Sequence, residues 1–336
     1  MICITFETEN QEYQTICTNK SGKLITSQFL VKMKNIKKYY FEEITHCEMC
    51  GDPVEGHKVM GQRLNGTQGF RSKRKTGISV SVKKCTNCQL IYSSPQPIPF
   101  DIQDHYGIFP EDYWKPEYFK WTPDYFAKEI LMLKKLIEVK PGMKSLDVGA
   151  GIGKSMISLA NAGFDAFGFE PSKSFYERAL SKMNIPPEKL LFGKIEDMDY
   201  EENSFDFISF GAVLEHLYHP AYCLEKAMGW LKPGGIIHIE VPSSKHLIAR
   251  IFNFYYKLTG TNYVTNISPM HSPFHLYEFG YNSFDELSKK LGYKIIFHEY
   301  YVCDIYHIPK FFHLPLRKIM KWTNTGMQLT VWITKG

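Results

Sequence analysis

The chain has 336 residues, 44% of them hydrophobic and 22% charged, with a formal net charge of +5. That length allows about two domains, or one α/β domain with an appended module, and the composition excludes a disordered chain. No uncharged apolar run approaches the ~20 residues of a membrane span, and the basic-then-apolar order of a signal peptide is missing, so a cytoplasmic protein without a span is the expectation.

Residues 1 to 32 show neither a period nor a dense apolar face, and Met33 opens a stretch suited to be a natural beginning. Residues 1 to 40 are therefore read as an extension, or a mis-assigned start, outside the fold. From 41 to 99 the chain is organised by cysteines. Cys47-Glu-Met-Cys50 and Cys85-Thr-Asn-Cys88 are separated by 34 residues (51 to 84), which demands a sizeable hairpin or loop between them. Each pair lets two sulfurs from one tight turn reach a common tetrahedral Zn²⁺ at ~2.3 Å. With eight cysteines and no secretory features, metal binding is favoured over disulfides. Four sulfurs leave no open coordination position, so the expectation is a zinc-ribbon-like module with a structural Zn²⁺. Basic residues gather at Arg71 to Lys75, at Lys83 and Lys84, and from Lys310 to Lys321. They read as a solvated face, or as a surface for an acidic partner.

Ser94-Pro-Gln-Pro-Ile-Pro closes the module, and residues 100 to 124 form a connector rich in aromatics: Tyr106, Tyr113, Trp114, Tyr118, Phe119 and Trp121. Helical spacing runs from Tyr125 to Ile137 and stops at Pro141-Gly142. Strands are then expected at Ser145 to Val148, Ala166 to Phe169, from Leu190, Phe205 to Phe210 and Ile236 to Val241. Helices are expected between them, over Lys154 to Asn161, Lys173 to Met183 and Cys223 to Leu231. A helix at Phe284 to Leu291 and strands at Lys294 to Tyr300 and Leu329 to Thr334 follow. Such alternation calls for a parallel sheet with helices on both faces.

The most informative stretch is Leu146-Asp-Val-Gly-Ala-Gly-Ile-Gly153, a strand that enters a glycine turn and then a helix. Glycines at 149, 151 and 153 let the backbone bend sharply and approach a ligand closely. A dinucleotide fingerprint would need a glycine at 154, where Lys154 stands. Glu170, at the end of the second strand, can accept both hydroxyls of a ribose.

These segments, together with Gly193-Lys-Ile-Glu-Asp-Met, the run Ser204 to Leu217, Leu231-Lys-Pro-Gly-Gly and Gly292-Tyr, resemble class I S-adenosylmethionine-dependent methyltransferases over 125 to 336. The resemblance implies a Rossmann-like sheet with an antiparallel terminal hairpin. It implies a site for S-adenosylmethionine made by Asp147, Gly149, Gly151, Gly153, Glu170, Ile195, Glu196 and Phe210. Lys194 departs from it, standing where many relatives carry an acid. Cys88-Gln-Leu-Ile-Tyr-Ser-Ser-Pro resembles the zinc-binding N-terminal module of sugar and small-molecule methyltransferases, in which the aromatic connector covers the cofactor. Tyr106 and Tyr113 would do so here, or pack in the core.

Methyl transfer from a sulfonium needs positioning and removal of a proton, so histidines are the candidate bases. His216 follows the fourth strand in Leu-Glu-His-Leu. Metal-dependent RNA 2′-O-methyltransferases have Glu-x-x-Glu-His there, but Ala212 replaces the first Glu, and a histidine that orients the loop is the plainer reading. His275 is the preferred base, in the place where sugar C-methyltransferases have Tyr-x-Glu-His. Ser272 and Phe274 replace the Tyr and Glu, which favours deprotonation of a hydroxyl over carbanion chemistry. Lys245 to Tyr263 is expected to form a lid or acceptor pocket, or a dimer surface. The function expected is O-methylation of a small hydroxylated acceptor, such as a nucleotide-sugar or glycan. The alternatives are an RNA methyltransferase that binds RNA through the zinc module, and a non-catalytic scaffold of the same fold.

Overall fold

The computed structural model describes residues 2–7, 13–18, 24–25, 39–64, 79–101, 103, 116–305 and 308–336. Met33, the basic run 71–75 and the connector residues Tyr106, Tyr113 and Trp114 lie outside them. The chain forms two compact units, Met1–Lys38 and Tyr39–Gly336. In the first, β1 (Ile2–Glu7), β2 (Tyr13–Thr18) and β3 (Leu24–Ile25) pair antiparallel, strands that no periodicity announced.

The second unit is built on a seven-stranded sheet. Its strands are β9 (Lys144–Val148), β10 (Asp165–Glu170), β11 (Leu190–Phe192), β12 (Phe205–Gly211), β13 (Leu231–Pro242), β15 (Tyr293–Tyr301) and β16 (Gln328–Lys335). They lie in the order β11-β10-β9-β12-β13-β16-β15. Neighbours from β11 to β13 are parallel, and β16 is antiparallel to both β13 and β15, the hairpin expected from the sequence. Helices α1 (Ala127–Leu136), α2 (Lys154–Asn161), α3 (Lys173–Lys182), α4 (Pro220–Trp230), α5 (Leu247–Leu258), α6 (Tyr281–Leu291) and α7 (His313–Trp322) complete the unit. Apolar runs such as Leu146, Val148, Ile208 and Phe210 are buried, as strands covered on both faces require. Pro233-Gly-Gly lies inside β13. The pairing with β12 steps from Phe205↔Leu231 to Phe207↔Ile236, so residues 232 to 235 are absorbed as an irregularity in the ladder.

The cysteine module adds β4 (Tyr39–Glu42), β5 (Lys58–Leu64), β6 (Ser79–Lys84), β7 (Ile91–Ser94) and β8 (Gln96–Pro99). β5 and β6 pair antiparallel, supplying the hairpin that the long cysteine spacing demanded. The sheet continues through β7 to β14 (Tyr277–Glu278), a strand from the far end of the sequence. Cys47, Met49, Leu90 and Tyr92 share one apolar core with Phe279, Phe284 and Leu287. The cysteine module and the seven-stranded sheet therefore belong to one compact unit. Of the connector, Trp121 Nε1 donates to Ser158 Oγ at 2.9 Å and the Tyr118 carbonyl accepts from Lys154 Nζ at 3.1 Å, fastening it to α2.

Candidate active site

β9 ends at Val148 and the chain bends through Gly149, Gly151 and Gly153, all at positive φ, into α2. A Cβ on Gly149 would stand 2.8 Å from Val213 Cγ2, and one on Gly153 2.6 Å from Ile185 Cγ1, so both space and backbone angle demand glycine. Glu170, at the end of β10, faces this bend. Its Oε2 accepts from the Gly151 N–H at 2.7 Å and its Oε1 from the Ser172 N–H at 2.7 Å. Burial pushes its carboxyl up to about 7, against the pull of those two donors. Asp147 is also buried, and burial raises it to about 7 while a hydrogen bond with Ser155 opposes the shift.

A cavity of about 560 Å³ opens over the carboxyl ends of these strands, where the strand order reverses on either side of β9. Gly149 and Glu170 line it together with Lys194, Ile195 and Glu196, and with Ala212, Val213, His216, Leu217 and Tyr218. Ile98, Pro99, Phe100 and Asp101, at the exit of the cysteine module, complete the wall. Four expected cofactor residues thus meet in one space: Gly149, Glu170, Ile195 and Glu196. Asp147, Gly151, Gly153 and Phe210 are outside the lining. The first three shape the bend from behind, and Phe210 is wholly buried in the core. Sequence reasoning missed residues 98 to 101, because nothing local in Pro-Ile-Pro-Phe-Asp distinguishes a cavity wall from a linker. The stretch expected to be a lid, Lys245 to Tyr263, contributes nothing to the lining. It forms α5 and the turn beyond.

His216 ends a short 3-10 turn (Leu214–His216) after β12 and reaches the cavity. Burial lowers its ring to about 4, offset in part by a hydrogen bond with the Phe274 backbone. His275, the preferred base of the sequence reading, is not among the residues that line the cavity, and it lies beside His216. The two rings meet edge-on with centroids 4.9 Å apart, and His275 Nε2 is 3.9 Å from Glu215 Oε1. Burial, then the neighbouring His216 and His271, lowers the His275 ring. Glu215 is 1% exposed, its carboxyl is pushed up to about 8 by burial, and its Oε2 has no hydrogen-bond partner among the described residues. Donor atoms of Glu215, His216 and His275 lie within 4.8 Å of one another, a set able to hold a divalent cation.

The loop that carries His275 is held from three directions. The Leu276 N–H donates to the Glu215 carbonyl at 2.7 Å, and Glu278 Oε1 accepts from the Ile267 N–H at 3.0 Å. Arg63, from β5 of the cysteine module, donates to the Ile267 carbonyl and to His271 Nε2, each at 2.9 Å. His219 faces solvent and meets Glu48 at 3.3 Å.

The four cysteine sulfurs also gather, all within 4.8 Å of one another. Cys47 and Cys88 are 3.5 Å apart, as are Cys50 and Cys85. Sulfurs at ~2.3 Å from a tetrahedral zinc would be about 3.8 Å apart, so the donor set fits that ion in both softness and size. The two turns are copies of one another. Gly51 and Gln89, each just past its second cysteine, adopt positive φ and donate to the carbonyls of Cys47 and Cys85. Buried His57 braces the site between Asp52 and Tyr92.

Residues 146–239 match a family model described as "Methyltransferase domain". The chain is similar to a demethylmenaquinone methyltransferase of Bacillus mycoides, 29% identical over 107 residues, covering 30% of this chain and 45% of that one. It is similar to phosphoethanolamine N-methyltransferase 2 of Caenorhabditis elegans, 25% identical over 124 residues, covering 36% and 28%. The chain therefore spans less than half the length of these two relatives. A solved S-adenosylmethionine-dependent methyltransferase from Archaeoglobus fulgidus aligns over 65% of this chain and 97% of that one, at 13% identity and a TM-score of 0.44.

Proposed function

We propose, on the premise that the chain carries a class I S-adenosylmethionine-dependent methyltransferase domain, that it methylates a hydroxyl of a small, sugar-linked or otherwise hydroxylated acceptor. The observation that carries this reading is a cavity lined by Gly149 and Glu170 together with His216. S-adenosylmethionine supplies an electrophilic methyl group on a sulfonium.

The chain's own residues divide the remaining work. The bare backbone at 149 to 153 admits the methionine part closely, Glu170 offers carboxylate lone pairs to the ribose hydroxyls, and Ile195 with Glu196 flanks the base. His216 stands at the acceptor end, ready to take a hydrogen bond or the proton from a hydroxyl. His275 acts through it, as a positioning residue. Residues 98 to 101 close the wall and keep water out. The two relatives bear names of unrelated acceptors, so the choice of a hydroxyl rests on the histidine end alone. We assign the four cysteines to a structural Zn²⁺, with Cys47, Cys50, Cys85 and Cys88 as ligands, whose work is to hold that wall in place.

The test is calorimetry with S-adenosylmethionine, then incubation with labelled cofactor and a panel of hydroxylated acceptors. Binding at micromolar levels that is lost in Gly151→Arg is the expected result. Protein that ignores the cofactor at millimolar levels would overturn the reading.

A further inference from the structure

α5 and α7 leave the same edge of the sheet as the cavity. α5 follows the carboxyl end of β13, and α7 lies in the connection between β15 and β16; β13 and β15 run in the same direction because each is antiparallel to β16. The inner sides of the two helices pack together through Ile248, Ile305 and Met320. Their outer sides remain apolar. On α5, Ile251, Phe254 and Leu258 recur at helical spacing along one stripe and are 45%, 62% and 70% exposed. At and before α7, Phe311, Leu314 and Trp322 are 74%, 65% and 86% exposed. Single exposed apolar side chains are ordinary, but a stripe of aromatic and branched residues on adjoining helices marks a surface that something covers.

Charge identifies the occupant. The stretches Lys245–Tyr277 and Ile305–Gly336 contain none of the chain's 35 acidic residues. Arg250, Lys257, Lys310, Lys318 and Lys321 are all exposed within them. Asp304, just before the second stretch, is tied to Arg317 at 2.9 Å. A second copy of this face would set cation against cation. An acid-free helix pair with Phe, Leu and Trp outside and lysines beside them matches a bilayer surface, where apolar side chains enter the acyl boundary and cations meet anionic headgroups.

We infer that the outer face of α5 and α7 docks this protein on an anionic lipid surface, with the cavity's edge of the sheet turned toward the membrane. Resting on the methyltransferase reading, the acceptor class this favours is an amphiphile, its hydroxylated head reaching the histidine end while its apolar part stays in the bilayer.

The experiment is flotation of the full chain with vesicles of phosphatidylcholine alone and of phosphatidylcholine mixed with phosphatidylglycerol. Binding is expected to the anionic vesicles, weaker to the neutral ones, and reduced by added salt. A combined Phe254→Ser, Leu258→Ser and Trp322→Ser variant, and separately Lys318→Glu with Lys321→Glu, are each expected to weaken it at least ~tenfold. Cofactor affinity and thermal midpoint are measured on both as folding controls. Failure of the parent protein to float with anionic vesicles, retention of binding by both variants, or a dimer in sedimentation that the serine variant separates would each overturn the inference. Vesicle binding by protein that ignores S-adenosylmethionine would remove the methyltransferase reading and leave the docking surface standing.

Discussion

The glycine part of the cavity wall comes from 148 to 196, while the histidine part comes from 212 to 218, backed by a loop at 266 to 276, and residues 98 to 101 of the cysteine module complete the wall. The first is a local construction. One strand, one bend and one helix bring Gly149 to its place, and the next strand delivers Glu170 to the bend at hydrogen-bond distance. The second is assembled across the molecule, with Arg63 of the cysteine module holding the loop of His271 and with Tyr277 linking Gln96 to the Tyr218 carbonyl. A local site tolerates distant change; an assembled one inherits every weakness of its supports.

The largest test of this difference removes the supports. Cys85→Ser, or prolonged chelation, is expected to release about one Zn²⁺ per chain and to lower the thermal midpoint by more than ~10 °C, measured by metal analysis and calorimetry. An unchanged midpoint would separate the module from the core it shares with Phe284 and Leu287. Next in size is Gly151→Arg, expected to weaken S-adenosylmethionine at least ~100-fold, since position 151 is at positive φ and its N–H already serves Glu170.

The histidine end is probed by two substitutions read together. His216→Ala should lower kcat by about 100-fold with cofactor affinity intact, whereas His275→Ala should cost nearer ~10-fold. The reverse order would return His275 to the chemistry and place the acceptor on its side.

Smaller still is the pH dependence of the glycine end. Burial holds the Glu170 carboxyl near 7, and on the proposed reading ribose hydroxyls would donate to its ionised form. Below that value binding must expel a proton. Cofactor affinity should therefore climb between about pH 6 and about pH 7, by at most tenfold per unit, and level off above. Glu170→Gln should bind more weakly and show no such slope. A slope that persists in this variant would move the titration to another group, Asp147 being the nearest.

Phe100→Ala is the mildest. It should shift the acceptor KM a few-fold and leave the cofactor alone.

The glycine end was legible because its physics is short-range. An eight-residue run, Leu146 to Gly153, contains both the strand that ends and the glycines that permit the bend, and α2 occupies Lys154–Asn161 as its apolar spacing requires. The cysteine spacing was equally readable, since two thiolate turns announce a shared centre wherever they lie. What periodicity could not supply was partnership. Nothing in Tyr277-Glu278 says that it joins a sheet begun at residue 58, and nothing in Leu276 says that its N–H will meet the Glu215 carbonyl. The contact of the His216 and His275 rings belongs to that class, as does the outward turn of α5, whose apolar residues looked the same whether they were to line a pocket or face solvent. Local spacing thus determined that a parallel sheet with a glycine bend and a four-sulfur cluster would form, and the resemblance it carried implied a nucleoside site at that bend. Only tertiary packing decided which walls close around them, because hydrogen bonds between segments two hundred residues apart depend on where the whole core brings the backbone, and no short window of sequence records that.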